Sequence, residues 1–149
     1  MNRRLTDTIS DMHFAPTKSA ELNLLQCGIP KSNITVTGNT VIDALLYICN
    51  RLKNEPGIIS QALEHLPLLD GSKKLILVTG HRRENFGKGI INISKALRAI
   101  ARKNPDVDIV YPVHLNPNVR KPVIKALSDL SNVYLIEPVA YQTFVYLMS

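Results

Sequence analysis

The sequence predicts an α/β chain in which helices alternate with the strands of a parallel sheet. Three observations point that way. Residues 75–79 (LILVT), 109–113 (IVYPV) and 133–136 (VYLI) are short, nearly continuous apolar runs, as expected of strands covered on both faces. Between them lie segments with apolar residues at helical spacing. Strand and helix recurring at that interval argue for right-handed βαβ units.

From the amino end, residues 17–28 read as a helix. Thr17 is a candidate N-cap after Pro16, and Ala20, Leu24 and Leu25 share a face. Gly28 suits the left-handed position beyond the last turn. Ile34-Thr35-Val36 is a short strand, and Gly38-Asn39-Thr40 turns the chain into a second helix. Thr40 with Asp43 resembles a capping box with a shorter acid, and Val41, Leu45, Ile48 and Leu52 supply the apolar stripe. Glu55-Pro56-Gly57 ends that helix. Residues 56–74 then read as a connector, with a short helical stretch near Ile58–Leu66 and a turn at Asp70-Gly71-Ser72.

After the strand at 75–79 comes a polar loop, Gly80 to Gly89. Ile90, Ile93, Leu97 and Ile100 then recur at helical spacing until Asn104-Pro105. Pro112 makes the strand at 109–113 slightly irregular. A loop from His114 to Asn118 leads to a helix carrying Val119, Val123, Leu127 and Leu130, and Tyr141–Met148 starts another after the strand at 133–136. The chain stops within a periodic apolar segment, which reads as an internal piece of something longer.

Of the 149 residues, 45% are hydrophobic and 20% charged, which leaves enough apolar material for a core. Eighteen Lys and Arg against twelve Asp and Glu give a net charge of +6, a balance that favours an anionic partner. Nucleic acid is weakly supported, because the charges are dispersed and no aromatic residues interleave with basic ones. No apolar segment follows Arg3-Arg4 to make a signal peptide, and Val41–Cys49 is too short for a membrane span. Cys27 and Cys49 lack zinc spacing and read as buried free thiols in a reducing cytoplasm.

Three loops leave the predicted strands on one edge of the sheet: Gly80–Gly89, His114–Asn118 and Glu137–Ala140. Gly80-His81-Arg82-Arg83-Glu84-Asn85 precedes a helix N-terminus, where free N–H groups attract anions. Two guanidinium groups add forked donors matching phosphate oxygens, and Gly87 and Gly89 let the backbone bend. The same loop also reads as a solvated one whose arginines pair with Glu84. His114 is open to phosphate binding, to proton transfer, or to capping the next helix through a neighbouring Asn. Glu84 and Glu137 each read as a catalytic acid or base, or as an ion-pair partner. No metal-ligand spacing and no nucleophile motif occurs.

Five segments together resemble a known family: NRRLTDTISDMHFAPT, TVTGNTVIDAL, LILVTGHRRENFGKG, DIVYPVHLNPNVRKPV and EPVAYQTFVYLM. In this order and spacing they are similar to the non-hydrolysing UDP-N-acetylglucosamine 2-epimerases, and the likeness is weakest over 53–73. The resemblance implies a glycosyltransferase-B-like fold of two Rossmann-like domains, truncated here at both ends. Residues 1–52 would end the first domain, 53–73 connect, and 74–149 form the first half of the UDP-binding second domain.

It also implies a reaction with no cofactor and no metal. UDP is eliminated to leave 2-acetamidoglucal, C2 is reprotonated on the opposite face, and UDP re-adds. Position by position, His81 matches a histidine at the substrate UDP. Val139 stands where the family contacts uracil, largely through backbone, and Phe144 matches the aromatic beside the base. Arg82 and His114 match contacts to a second, allosteric UDP-N-acetylglucosamine, with Arg83 near that phosphate-binding set. Glu84 and Asn116 are supporting members of the motifs. The catalytic carboxylates are expected upstream of residue 1, so the chain is expected to be inactive alone. UDP and UDP-N-acetylglucosamine are the implied partners, with a homodimer for the full-length form and no nucleic acid or membrane. A binding-only regulatory protein is the competing reading, and a small basic nucleic-acid-binding domain a more distant one.

Overall fold

The computed structural model describes residues 2–64, 66–80 and 87–149. The chain divides into two compact units, Met1–Asn50 and Arg51–Ser149. His81, Arg82, Arg83 and Glu84, together with His65, lie outside the described residues.

The first unit holds helix α1 (Asn2–Ile9), strand β1 (His13–Ala15), helix α2 (Lys18–Gln26), a short 3₁₀ turn (Lys31–Asn33), strand β2 (Ile34–Val36) and most of helix α3 (Thr40–Asn54). β1 and β2 run parallel, with Phe14 opposite Thr35. Neither α1 nor β1 is anticipated in the sequence; for β1 the reason is that three residues are too few to display a period.

The ends of α2 follow from local chemistry. Thr17 is extended, and its hydroxyl accepts the N–H of Ala20 at 3.1 Å. At the other end Gly28 has φ +85°, donating to the Leu25 carbonyl at 2.9 Å, while Ile29 donates to Leu24 at 3.1 Å. These two bonds form a Schellman motif, which needs a residue without Cβ strain at its left-handed position. Cys27 occupies the cap just before Gly28 and is exposed, and Cys49 is half-buried; the expectation of two buried thiols fails because a cap position lies past the helix's apolar face. Glu21 is buried and is paired with Lys18 and Lys31.

At the start of α3 the cap is Asn39, whose Oδ1 accepts the N–H of Val41 at 3.3 Å. Thr40 is already helical, so the Thr40–Asp43 capping box is not formed. Ile48 and Leu52 of the expected stripe are buried, Leu45 is half-buried, and Val41 is exposed in the first turn.

The second unit continues with helix α4 (Pro56–Leu63), strand β3 (Lys74–Leu77), helix α5 (Lys88–Lys103), strand β4 (Val107–Pro112), helix α6 (Pro117–Leu127), strand β5 (Val133–Ile136) and helix α7 (Tyr141–Met148). α4 starts earlier than the apolar pattern indicates, because Pro56 fits the first helical position, where no N–H is required. The turn at Asp70 is closed by Ser72, whose backbone N–H and hydroxyl both donate to Asp70 Oδ1, at 3.0 and 2.6 Å.

The three strands form a parallel sheet in the order β3-β4-β5. β4 is central and is buried on both faces, as its apolar run requires. Ile109, Tyr111 and Val113 pack with Ile90, Leu97 and Ala101 of α5 and with Val119, Val123 and Leu127 of α6. Asp108 is also buried, and it accepts from Lys73 Nζ at 3.3 Å and from the Asp70 N–H at 3.4 Å. Gly89 lies inside α5 and makes no bend, whereas Gly87 just ahead of it has φ +73°.

α5 and α6 are tied by a two-pronged pair, with Arg98 donating to both carboxylate oxygens of Asp129 and to the Ala126 carbonyl. Arg98 holds the Asp129 carboxyl below its ordinary value of 3.8. A carboxyl lowered in the folded state adds stability above its unfolded pKa and loses it as pH falls through the folded one. In thermal melts, the advantage of wild type over Asp129→Asn should therefore persist at neutral pH and shrink on acidification below about pH 4. A gap that does not change between pH 7 and about pH 3 would show that this pair contributes no pH-dependent stability.

Candidate functional site

The loops beyond β3, β4 and β5 share the carboxyl edge of the second unit's sheet, where open parallel sheets hold their ligands. A cavity of about 250 Å³ opens there. Val78 and Thr79 line it from beyond β3, Pro112 and His114 from the end of β4, and Pro138, Val139 and Phe144 from the loop and helix after β5. Three residues singled out from the sequence, His114, Val139 and Phe144, thus meet in one cavity although their loops are far apart in the chain. An adjoining depression of about 430 Å³ is lined by residues 136–140 and Thr143.

Each wall has a local reason. Phe144 and Val139 are both half-buried, and the Phe144 N–H donates to the Ala140 carbonyl at 3.0 Å in the first turn of α7. No side chain caps α7 at Ala140. His114 is exposed, and its Nδ1 accepts the N–H of Asn116 at 3.1 Å. With Nδ1 accepting, the neutral ring carries its proton on Nε2. Asn116 caps α6: its Oδ1 takes the Asn118 N–H at 2.9 Å, and its carbonyl takes those of Val119 and Arg120. Pro117 fills the first helical position. Asn116 therefore orients His114 and starts the helix, so the capping and ligand readings of this loop are compatible.

Glu137 is engaged by Arg120, Nη2 to Oε1 at 2.6 Å, which joins the start of α6 to the loop after β5. Of its two sequence readings, the ion-pair partner is the one the structure displays. Among the described residues, no group of three His, Cys, Asp or Glu is placed to hold a metal, and no helix is long and apolar enough to cross a membrane. His13, outside this edge, is buried on β1, and its Nε2 has no hydrogen-bond partner among the described residues.

The sequence reading missed Tyr111 and Arg120. Tyr111 is fully buried in β4, and its hydroxyl donates to the Gly80 carbonyl at 2.9 Å. Burial pushes its phenol above the ordinary value of 10.0. A polar tip inside a strand covered on both faces is the signal that could have found it.

Comparison with known proteins gives one answer. The sequence profile of the UDP-N-acetylglucosamine 2-epimerase family matches residues 1–149. The UDP-N-acetylglucosamine 2-epimerase of Yersinia pestis is 51% identical over 148 residues, covering 99% of this chain and 39% of its own length. The crystal structure of the Neisseria meningitidis UDP-GlcNAc 2-epimerase bound to UDP-GlcNAc superposes with TM-score 0.89 at 50% identity, over 99% of this chain and 39% of that one. The Methanocaldococcus jannaschii UDP-GlcNAc 2-epimerase, solved with UDP-GlcNAc and UDP, matches with TM-score 0.72 at 29% identity, over 98% and 40%. This chain therefore spans about two fifths of the length of these relatives. Its parallel α/β architecture is shared with enzymes of glycosyltransferase-B-like fold. With every residue covered by the profile, and with the same fold at half identity, the chain belongs to the UDP-N-acetylglucosamine 2-epimerase family.

Proposed function

We propose that this chain supplies the UDP-binding part of an enzyme interconverting UDP-N-acetylglucosamine and UDP-N-acetylmannosamine. The observation that carries the reading is the cavity that unites His114, Val139 and Phe144 at the sheet's carboxyl edge. Phe144 offers an aromatic face beside the uracil, the backbone at Val139 contacts its polar edge, and the GHRREN segment (80–85) brings His81, Arg82 and Arg83 to the phosphates. Arg82 and His114 serve a second, allosteric UDP-N-acetylglucosamine, with Glu84 and Asn116 in support.

In the reaction, a base removes the C2 proton as UDP leaves C1, giving 2-acetamidoglucal. Reprotonation of C2 on the opposite face and re-addition of UDP complete the inversion. Cationic and N–H donors stabilise the charge that builds on the departing pyrophosphate. Proton transfer at C2 and C3 requires carboxylates. The one carboxylate that borders the cavities among the described residues is Glu137, and it is held by Arg120. That favours binding without turnover by this chain alone, the catalytic carboxylates coming from the first domain of a complete enzyme. The division into 1–52, 53–73 and 74–149, a cytoplasmic setting and a homodimeric full-length enzyme belong to the same proposal.

A binding-only regulatory role is the second reading, and the engaged state of Glu137 is the observation in its favour. Calorimetric titration of the chain with UDP and with UDP-N-acetylglucosamine, beside an epimerisation assay, tests both. UDP binding that His81→Ala weakens, with no turnover, is the expected result. Well-folded protein with no affinity for either ligand would overturn the proposal.

A further inference from the structure

The β3–β4 ladder closes with the Val78 N–H donating to the Val110 carbonyl at 2.9 Å. Two residues on, the chain is at Gly80, and there the hydroxyl of Tyr111 reaches across to its carbonyl at 2.9 Å. Tyr111 has no exposed surface, and its ring sits in an otherwise aliphatic core. Phenylalanine would fill that space without taking a hydroxyl out of water, so the hydroxyl is retained at a cost that its single bond must offset. The approach is close as well: a Cβ on residue 80 would meet the Tyr111 oxygen at 3.4 Å.

What this bond fixes is the far wall of the cavity. Val78 and Thr79, between the ladder's last bond and Gly80, face the same space as Phe144 and Val139. We infer that Tyr111 is a positioning residue, whose hydroxyl, by holding the Gly80 carbonyl, sets the distance between the Val78–Thr79 wall and the Phe144 side of a nucleotide slot. The inference rests on the UDP-binding reading for its ligand, but not for the clamp itself. Tyr111 acts through the backbone at residues 78–80 and not by touching the ligand.

Tyr111→Phe removes one oxygen and keeps the ring, so the core remains filled. Two measurements on the 149-residue chain decide the matter. In amide exchange, the variant should speed exchange at Val78, whose N–H bonds Val110 beside the clamp, while leaving Ile109 and Val113, in and just beyond the middle strand, unchanged. A merely structural role would instead speed all of them and lower the melting temperature. In calorimetry, UDP affinity should fall about five- to tenfold, as one lost hydrogen bond allows. Unchanged exchange at Val78 overturns the clamp. Altered exchange with unchanged UDP affinity overturns its effect on the slot. If wild type itself fails to bind UDP, the nucleotide reading falls, and the exchange result still decides whether the clamp exists.

Discussion

Replacing Asn132 with alanine should cost the second unit about 3 kcal/mol and lower its melting temperature by roughly 10 °C or more. Asn132 is buried just before β5, and the two hydrogens of its amide Nδ2 serve three carbonyls, one of them shared: Ala101 at 3.1 Å, Asn104 at 3.2 Å and Val107 at 2.9 Å. Its own carbonyl accepts the Ile109 N–H at 2.9 Å. One side chain thus closes the end of α5, the turn after it and the start of β4, all at once. Removing it takes this donor from the buried bonds to Ala101 and Val107, while the Asn104 carbonyl keeps the Val107 N–H, and an unsatisfied buried acceptor costs more than a bond contributes when made. The backbone bond from Ile109 survives the substitution, so the strand pairing is kept and the loss is confined to the side-chain acceptors. Asn132→Asp should be worse than alanine, since it sets a carboxylate against three carbonyl oxygens. Thermal and urea unfolding of the two variants check the order. An alanine variant that melts with wild type would mean these carbonyls find other partners.

That residue also marks where sequence reading stops. Asn132 bonds to groups 25 to 31 positions away, and Tyr111 finds Gly80 at a separation of 31. No local pattern encodes such a partner; only the sheet's order brings it near. By contrast, the caps of α2 are legible because Thr17 and Gly28 act within one turn of themselves. The three strands of the second unit are legible as unbroken apolar runs, but only β4 is buried on both faces as such a run predicts; β3 lies at the sheet's edge with Leu75 exposed, and β5 is only partly buried. β5 and α7 have the expected limits, 133–136 and 141–148. β3 and β4 begin one or two residues earlier than the apolar runs, since Lys74 and Val107-Asp108 pair in the ladder without continuing the pattern.

The site was legible in part. Strand ends in a parallel sheet must share an edge, so His114 and the loop holding Val139 could be assigned to one region from order alone, whereas Phe144, inside the next helix, was marked only by the family resemblance. What order could not supply was the division of labour within a loop. Asn116 spends its side chain and carbonyl on α6, and Glu137 is taken by Arg120 from another helix. Both facts follow from where α6 starts relative to β5, which depends on packing and not on spacing. The Thr40 box failed for a smaller reason. Asn39, one residue earlier, has the shorter reach to the N–H of Val41 and takes the cap first.

Phe144→Ala should weaken UDP binding by about tenfold to a hundredfold, the range that stacking of one base on an aromatic ring supports. The ring is half-buried and forms part of the cavity wall opposite Val78 and Thr79. An aromatic face accepts a base without a hydrogen-bond pattern, so Phe144→Tyr should retain most of the affinity. Val139→Ala should change it little, because the proposed contact there is made by backbone. Pyrophosphate supplies the control that separates stacking from misfolding. It carries no base, so its affinity should be the same in wild type and Phe144→Ala. Loss of both ligands together would mean that the truncated side chain lets α7 shift and damages the site as a whole. Loss of neither, in a variant that still unfolds cooperatively, would place the base elsewhere and leave Phe144 as a wall of the fold.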